Sequence, residues 1–394
     1  MVWDARRSKR KMLMGAKMYT SPVREAILGL KAYVPGRSIA EIKEKYGLTQ
    51  VIKMASNENP LGTSPLVCEA VQRAAALSFR YPQGGNPRLT AALGRRHKVA
   101  PERIVVGNGS DEIIDLLLRV LLVPGKHSLV CFAPCFSIYP IQGQICGVEV
   151  RRQPLREDFS FDFEALLSLV DESTRLVFVT TPDNPSGYCP PRAEVEHLAA
   201  ELARRFPDCL LVVDEAYMDF VGDGEADERQ ASLLAGGCLP DNVAILRTFS
   251  KSWGLAGLRL GYAVLPEALA QYCWRARLPF SVNLLAEEAG LAALEDAAFR
   301  EATLRTVREG RRHLSRELAA AGCTVWPSAA NFVMFRLPEG VDAPACVDAL
   351  LRGGLIIRPL ASYDLPQHLR VSVGTAEENA RFLSLLRAFL EAAR

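Results

Sequence analysis

Five short segments of this chain are apolar and rich in β-branched residues along most of their length, at positions 104–106, 129–132, 176–180, 210–213 and 243–246. A strand with one wet face alternates apolar and polar residues, so a strand without alternation has to be covered on both faces. Each run is followed by Gly, Pro, Asn or Asp and then by a stretch of helical periodicity. This repetition predicts an α/β fold built on an open, mostly parallel sheet. Past about residue 280 the pattern changes. Helical segments at 284–294 and 299–320, strand candidates at 331–336 and 369–373, and a terminal helix over 377–393 predict a smaller α+β domain.

At 394 residues the chain is longer than one hydrophobic core usually serves. The expected division is a basic, disordered tail over 1–20, an N-terminal arm over 21–62, a large ligand-binding domain over 63–278 and a small C-terminal domain over 279–394. The arm lacks a core of its own and packs on the small domain or on a neighbouring subunit. The tail carries Arg6, Arg7, Lys9, Arg10, Lys11 and Lys17 without a following apolar stretch, which does not read as a signal peptide. A true start at Met18 explains it equally well.

A formal net charge of +2, spread along the chain, points to neither a nucleic-acid groove nor a membrane face. No stretch reaches the ~18 apolar residues that span a bilayer. The ten cysteines are scattered from Cys68 to Cys346 without metal-ligand spacing. Free thiols in this number fit the reducing cytoplasm, and no metal is expected.

In open parallel sheets, ligands bind at the carboxyl ends of the strands. Four polar clusters fall there: Gly107-Asn-Gly-Ser-Asp111, Asp183-Asn-Pro, Asp214-Glu-Ala-Tyr217 and Ser250-Lys251. Of ten lysines, nine lie at or before Lys126, and Lys251 is the only one after it, amid abundant arginine. An amine can form a Schiff base and a guanidinium cannot. Asp214 follows an apolar strand, where a carboxylate needs a cationic partner such as a protonated pyridine nitrogen. Tyr217 and Asn184 have the donors to hold a ring oxygen, although each also reads as a turn or cap residue. The 107–111 turn leads into an apolar helix whose free amides suit an anion, with Ser250 and Arg259 as further donors. Phe136 is either a stacking ring or an ordinary core phenylalanine.

At these residues the chain resembles fold-type I pyridoxal-phosphate enzymes of the aspartate aminotransferase superfamily. The resemblance rests on Asp183-Asn-Pro-Ser-Gly187, Asp214-Glu-Ala-Tyr217, Ser250-Lys251 and Gly257-Leu-Arg259. Softer markers are Ser56-Asn-Glu-Asn-Pro-Leu-Gly62, Arg80-Tyr-Pro82, Asn331-Phe-Val333, Gly354-Leu-Ile-Ile-Arg358 and Leu369-Arg-Val-Ser-Val-Gly-Thr375. They are similar to those of the histidinol-phosphate aminotransferase family, from about Tyr33 to the C-terminus.

The resemblance implies an aminotransferase in which Lys251 carries pyridoxal 5'-phosphate as a Schiff base and shuttles the proton. Asp214 would pair with the ring nitrogen, and Asn184 and Tyr217 would hold the ring oxygen. Ser110, Asp111, Thr248, Ser250 and Arg259 would hold the phosphate, joined by Tyr81 from the second subunit of a homodimer. Tyr33, Asn59, Asn184, Arg358 and Arg370 would bind substrate. Two positions depart from the family pattern: Phe136 stands where many relatives have tyrosine, and Asp183-Asn184 where Asn-Asn is more usual. The expected reaction, in L-histidine biosynthesis, is L-histidinol phosphate plus 2-oxoglutarate to imidazole acetol phosphate plus L-glutamate. Rival readings are an aromatic-amino-acid aminotransferase, a threonine-phosphate decarboxylase and a cofactor-binding transcription regulator. The last needs a DNA-binding domain of ~60 residues ahead of the core. Tyr33 and the 56–62 motif leave no room for one.

Overall fold

The five apolar runs become strands of one seven-stranded sheet. The computed structural model describes residues 23–30, 36–222, 225–235 and 239–393; Tyr33 and the basic tail lie outside them. The strands are β1 (Ile104–Asn108), β2 (Ser128–Ala133), β3 (Glu149–Pro154), β4 (Thr174–Thr180), β5 (Leu210–Asp214), β6 (Val243–Thr248) and β7 (Leu260–Val264). Their order across the sheet is β1-β7-β6-β5-β4-β2-β3. All neighbours pair in parallel except β7, which is antiparallel to both β1 and β6. The fold is therefore α/β, with a mixed, mostly parallel sheet.

Burial explains the missing alternation. On β4, Val177 and Val179 enter one apolar cluster while Leu176 and Phe178 enter the cluster on the opposite face. Leu211 and Val213 part from Leu210 and Val212 in the same way on β5. The sequence pattern left out β3 and β7. β3 is an edge strand, Glu-Val-Arg-Arg-Gln-Pro, which needs no continuous apolarity. β7 follows the Lys251 loop without an intervening α-helix, so the strand-turn-helix rhythm does not register it.

A second, antiparallel sheet joins β8 (Thr324–Val325), β9 (Phe332–Arg336), β10 (Arg358–Pro359) and β11 (His368–Ser372), in the order β10-β11-β9-β8. Leu304, Val307 and Leu314 from the helix Ala297–Ala320 share its apolar cluster with Phe382 and Leu386 from the terminal helix Ala376–Ala392. Thr375 and Glu378 form a reciprocal capping box at the start of that last helix.

The helix Leu284–Glu295 is different. Its Ala286, Ala289 and Ala293 enter a cluster of the large sheet. Packing thus puts this helix with the large sheet, although the sequence division at 278 assigned it to the C-terminal part. The arm is tied to the second sheet's side: Ile52–Lys53 pairs in parallel with Leu355–Ile356, and Met54 accepts from the Ser372 amide at 2.8 Å.

Candidate active site

The carboxyl ends of β1, β4, β5 and β6 converge on one cavity of about 380 Å³. Ser110, Asp111, Phe136, Asn184, Asp214, Tyr217, Thr248, Ser250, Lys251 and Arg259 all line it. These come from five separate stretches of chain, and parallel strands bring their ends together at one edge of the sheet.

Asp214 ends β5 and is 3% exposed. One carboxylate oxygen accepts from the Tyr139 hydroxyl at 2.7 Å, the other from the Ala216 amide at 3.1 Å. Burial pushes the carboxyl up to about 6, with the Tyr139 hydrogen bond opposing the rise. Tyr139 is itself fixed, bonded to the Thr180 hydroxyl at 2.8 Å and stacked on Phe178 at 4.5 Å. Phe136 meets Tyr139 edge-on at 5.7 Å and lines the cavity.

Lys251 follows β6 and reaches the arm, where Nζ donates to the Ser56 carbonyl at 3.2 Å. Burial lowers its amine to about 8, and the Arg370 charge acts in the same direction. The amine lies 5.7 Å from the Tyr217 ring centre. Tyr217 accepts from the Asn57 side chain at 3.0 Å.

The anion cradle is built at the start of the helix Ser110–Leu121. Its first amides lack intrahelical partners and suit a negative ligand. Arg259, in a left-handed conformation, folds back to pair with Asp111 at 3.1 Å. Gly109 has a φ of +79°, and a Cβ there would come 2.7 Å from the Arg259 guanidinium. The positive φ favours glycine there, and a side chain would also displace the guanidinium from its place beside Asp111.

Behind the cavity lies a buried ionic network. Arg247 on β6 pairs with Glu215 at 2.7 Å, Glu228 at 3.0 Å and Asp219 at 3.3 Å. Arg300 pairs with Glu228 at 2.6 Å and Asp219 at 3.2 Å. Asp219 also accepts from Ser252, the residue after Lys251. The network ties the loop after β5, the loop after β6 and the helix Ala297–Ala320 together.

Comparison with known proteins agrees with this geometry. Residues 49–386 match the family described as aminotransferase class I and II. This chain belongs to that aminotransferase family. A histidinol-phosphate aminotransferase of Nitratidesulfovibrio vulgaris is 60% identical over 368 residues, 93% of this chain and 96% of that protein. One from Oleidesulfovibrio alaskensis is 58% identical, covering 93% and 95% respectively. The crystal structure of a histidinol-phosphate aminotransferase from Sinorhizobium meliloti, in complex with pyridoxal-5'-phosphate, superposes with a TM-score of 0.84 at 27% identity, over 95% of this chain and 99% of that one.

Not every residue singled out in this aminotransferase reaches the cavity. Asn59 does not line it. Its amide hydrogens go to the Ser252 carbonyl at 3.0 Å and the Thr303 hydroxyl at 3.2 Å, and its oxygen accepts from Leu61. Both amide hydrogens and one lone pair of the oxygen are thereby engaged, so Asn59, expected to bind substrate, clamps the arm to the loop after β6 and to the helix Ala297–Ala320 and is not among the residues lining the cavity. Tyr81 is 80% exposed and stacks on Phe280 at 4.8 Å, outside this chain's cavity. Arg358 opens onto a separate cleft between the two sheets, shared with Cys135 and Arg152. Arg370 sits behind Asn184, donating to its side-chain oxygen and to the Ala55 carbonyl at 3.1 Å, with its Nε left unbonded. Sequence reasoning missed Tyr139, Thr180, Asn57 and Glu58 as site residues. Asn57 and Glu58 stand inside the quoted 56–62 motif, and Tyr139 is three residues after Phe136, so proximity to those markers was the available signal.

Proposed function

We propose that this aminotransferase moves the amino group of L-histidinol phosphate to 2-oxoglutarate, giving imidazole acetol phosphate and L-glutamate, with pyridoxal 5'-phosphate as cofactor. This is the step expected of it in L-histidine biosynthesis, in the cytoplasm. The observation that carries the reading is the joint presence, around one cavity, of a buried amine, a buried carboxylate and an anion cradle. Two histidinol-phosphate aminotransferases at 58–60% identity support the substrate. Free thiols at the described cysteines suit a reducing compartment.

The residues fit the cofactor. Asp214 is a carboxylate whose burial calls for a cation, which a protonated pyridine nitrogen supplies. The amides at Ser110 and Asp111, with Thr248, Ser250 and Arg259, would hold the phosphate, Asn184 and Tyr217 the ring oxygen, and Phe136 the ring face. Bound there, the group supplies an electron sink that acidifies the substrate carbon bearing the amine. Lys251, once its amine is free, takes the proton from that carbon and would deliver it to the cofactor's carbon within the same half-reaction, and the second half-reaction would run the transfer in reverse. A pKa near 8 suits this, because the neutral and charged forms lie close in energy at working pH. Arg370 presents a guanidinium suited to a carboxylate.

A homodimer completes the reading, with Tyr81 reaching the phosphate of a second copy. Leu77, Phe79, Tyr81, Leu278 and Phe280 are all exposed apolar side chains, as an unpaired interface would leave them.

The test is spectroscopic. Purified enzyme loaded with pyridoxal phosphate should lose its visible absorbance on titration with L-histidinol phosphate at far lower concentration than with L-phenylalanine. Preference for phenylalanine would keep the class and replace the substrate. Carbon dioxide release would instead indicate a decarboxylase. In the same assay Tyr139→Phe should lower kcat/KM by roughly tenfold, the scale of one hydrogen bond to a charged group. Loss of the donor raises the Asp214 pKa further, so the acid limb of the pH profile should move to higher pH. An unmoved limb would remove Tyr139 from the reading.

A further inference from the structure

The cavity contains one charge that the proposed chemistry leaves over. Asp214 is held by Tyr139, Asp111 pairs with Arg259, and Lys251 and Arg259 have their tasks. Glu58 lines the same cavity from the arm. One of its oxygens accepts from Lys53 at 2.8 Å, while the other has no hydrogen-bond partner among the described residues. Its side chain is 45% exposed, so it is hydrated rather than buried. The Lys53 pair is a surface pair of the kind that contributes little to stability. What remains is a cavity-lining carboxylate with one oxygen that has no hydrogen-bond partner among the described residues.

A carboxylate at such a place discriminates by charge. It favours a donor whose side chain offers an N–H group or a positive charge, and opposes one that brings a second carboxylate. We propose that Glu58 is a specificity-determining residue that accepts a hydrogen bond from the ring N–H of an imidazole-bearing amino donor. The inference rests on the histidinol-phosphate reading above and adds a residue to it. It also gives opposite expectations for the two halves of the reaction. The imidazole donor gains from Glu58, whereas glutamate and 2-oxoglutarate gain nothing and face like-charge repulsion.

The experiment compares Glu58→Gln with wild type as holoenzymes, measuring kcat/KM separately for L-histidinol phosphate and for L-glutamate. The expected result is a loss of roughly tenfold or more for histidinol phosphate, the scale of a hydrogen bond to a charged acceptor. For glutamate the value should hold or rise. Lys53→Gln removes the same ion pair without touching the carboxylate, and should leave both values near wild type. Equal losses for both donors in Glu58→Gln would show a structural role and overturn the proposal. So would an unchanged value for histidinol phosphate, or the same loss in Lys53→Gln. If wild type itself fails to use histidinol phosphate while accepting other donors, the substrate reading falls first and the role of Glu58 with it.

Discussion

Replacing Lys251 by alanine should abolish transamination, a loss on the order of 10⁴-fold or more once both covalent attachment and proton transfer are gone. The measurement is the initial rate of glutamate formation from L-histidinol phosphate and 2-oxoglutarate. Lys251→Arg should be equally inactive. Arginine keeps the positive charge but can neither form a Schiff base nor release its proton near neutral pH. Turnover retained in either variant would sink the mechanism. The lowered pKa sharpens the argument. An ordinary lysine at pH 7.4 is only about 0.1% neutral. An amine lowered to about 8 by burial and the Arg370 charge has a substantial neutral fraction there.

Arg247→Ala should destabilise the protein by about 3–5 kcal/mol, the cost of removing one partner from a buried ionic network. Arg247 is 5% exposed and faces Glu215, Asp219 and Glu228. Arg300 remains to compensate Asp219 and Glu228. Among the described residues, Glu215 then keeps the Ser232 hydroxyl and the Leu233 amide. Urea unfolding should show a lower midpoint, and a shift below about 0.5 kcal/mol would mean the network is not a stabilising unit. The pH dependence has a definite sign. Burial already holds the Glu215 carboxyl above its ordinary 4.5, against the pull of Arg247, so the substitution raises it further. A carboxyl raised in the folded state costs stability above its folded pKa, and the cost fades as pH falls toward the unfolded value. The gap between variant and wild type should therefore narrow on acidification.

What the sequence by itself determined is what one stretch of chain can express. Strands buried on both faces must be apolar throughout, which is why 176–180 and 210–213 were legible and the edge strand Glu149–Pro154 was not. Lys251 stood out because no other lysine follows residue 126. Asp214 and the Gly107–Asp111 turn stood at strand ends, where parallel topology gathers residues. The tertiary structure alone decided matters that depend on partners far away in the chain. It set the place of β7 between β1 and β6, the bond from Tyr139 to Asp214 across 75 positions, and the reach of Lys251 to Ser56 across 195. It also made Asn59 a clamp and its neighbour Glu58 a cavity-lining residue, two fates that one motif cannot distinguish. The physical reason is that hydrophobic periodicity records only which face of an element is buried. Which hydrogen bonds a buried polar group makes is set by whatever the folded chain brings within 3 Å of it.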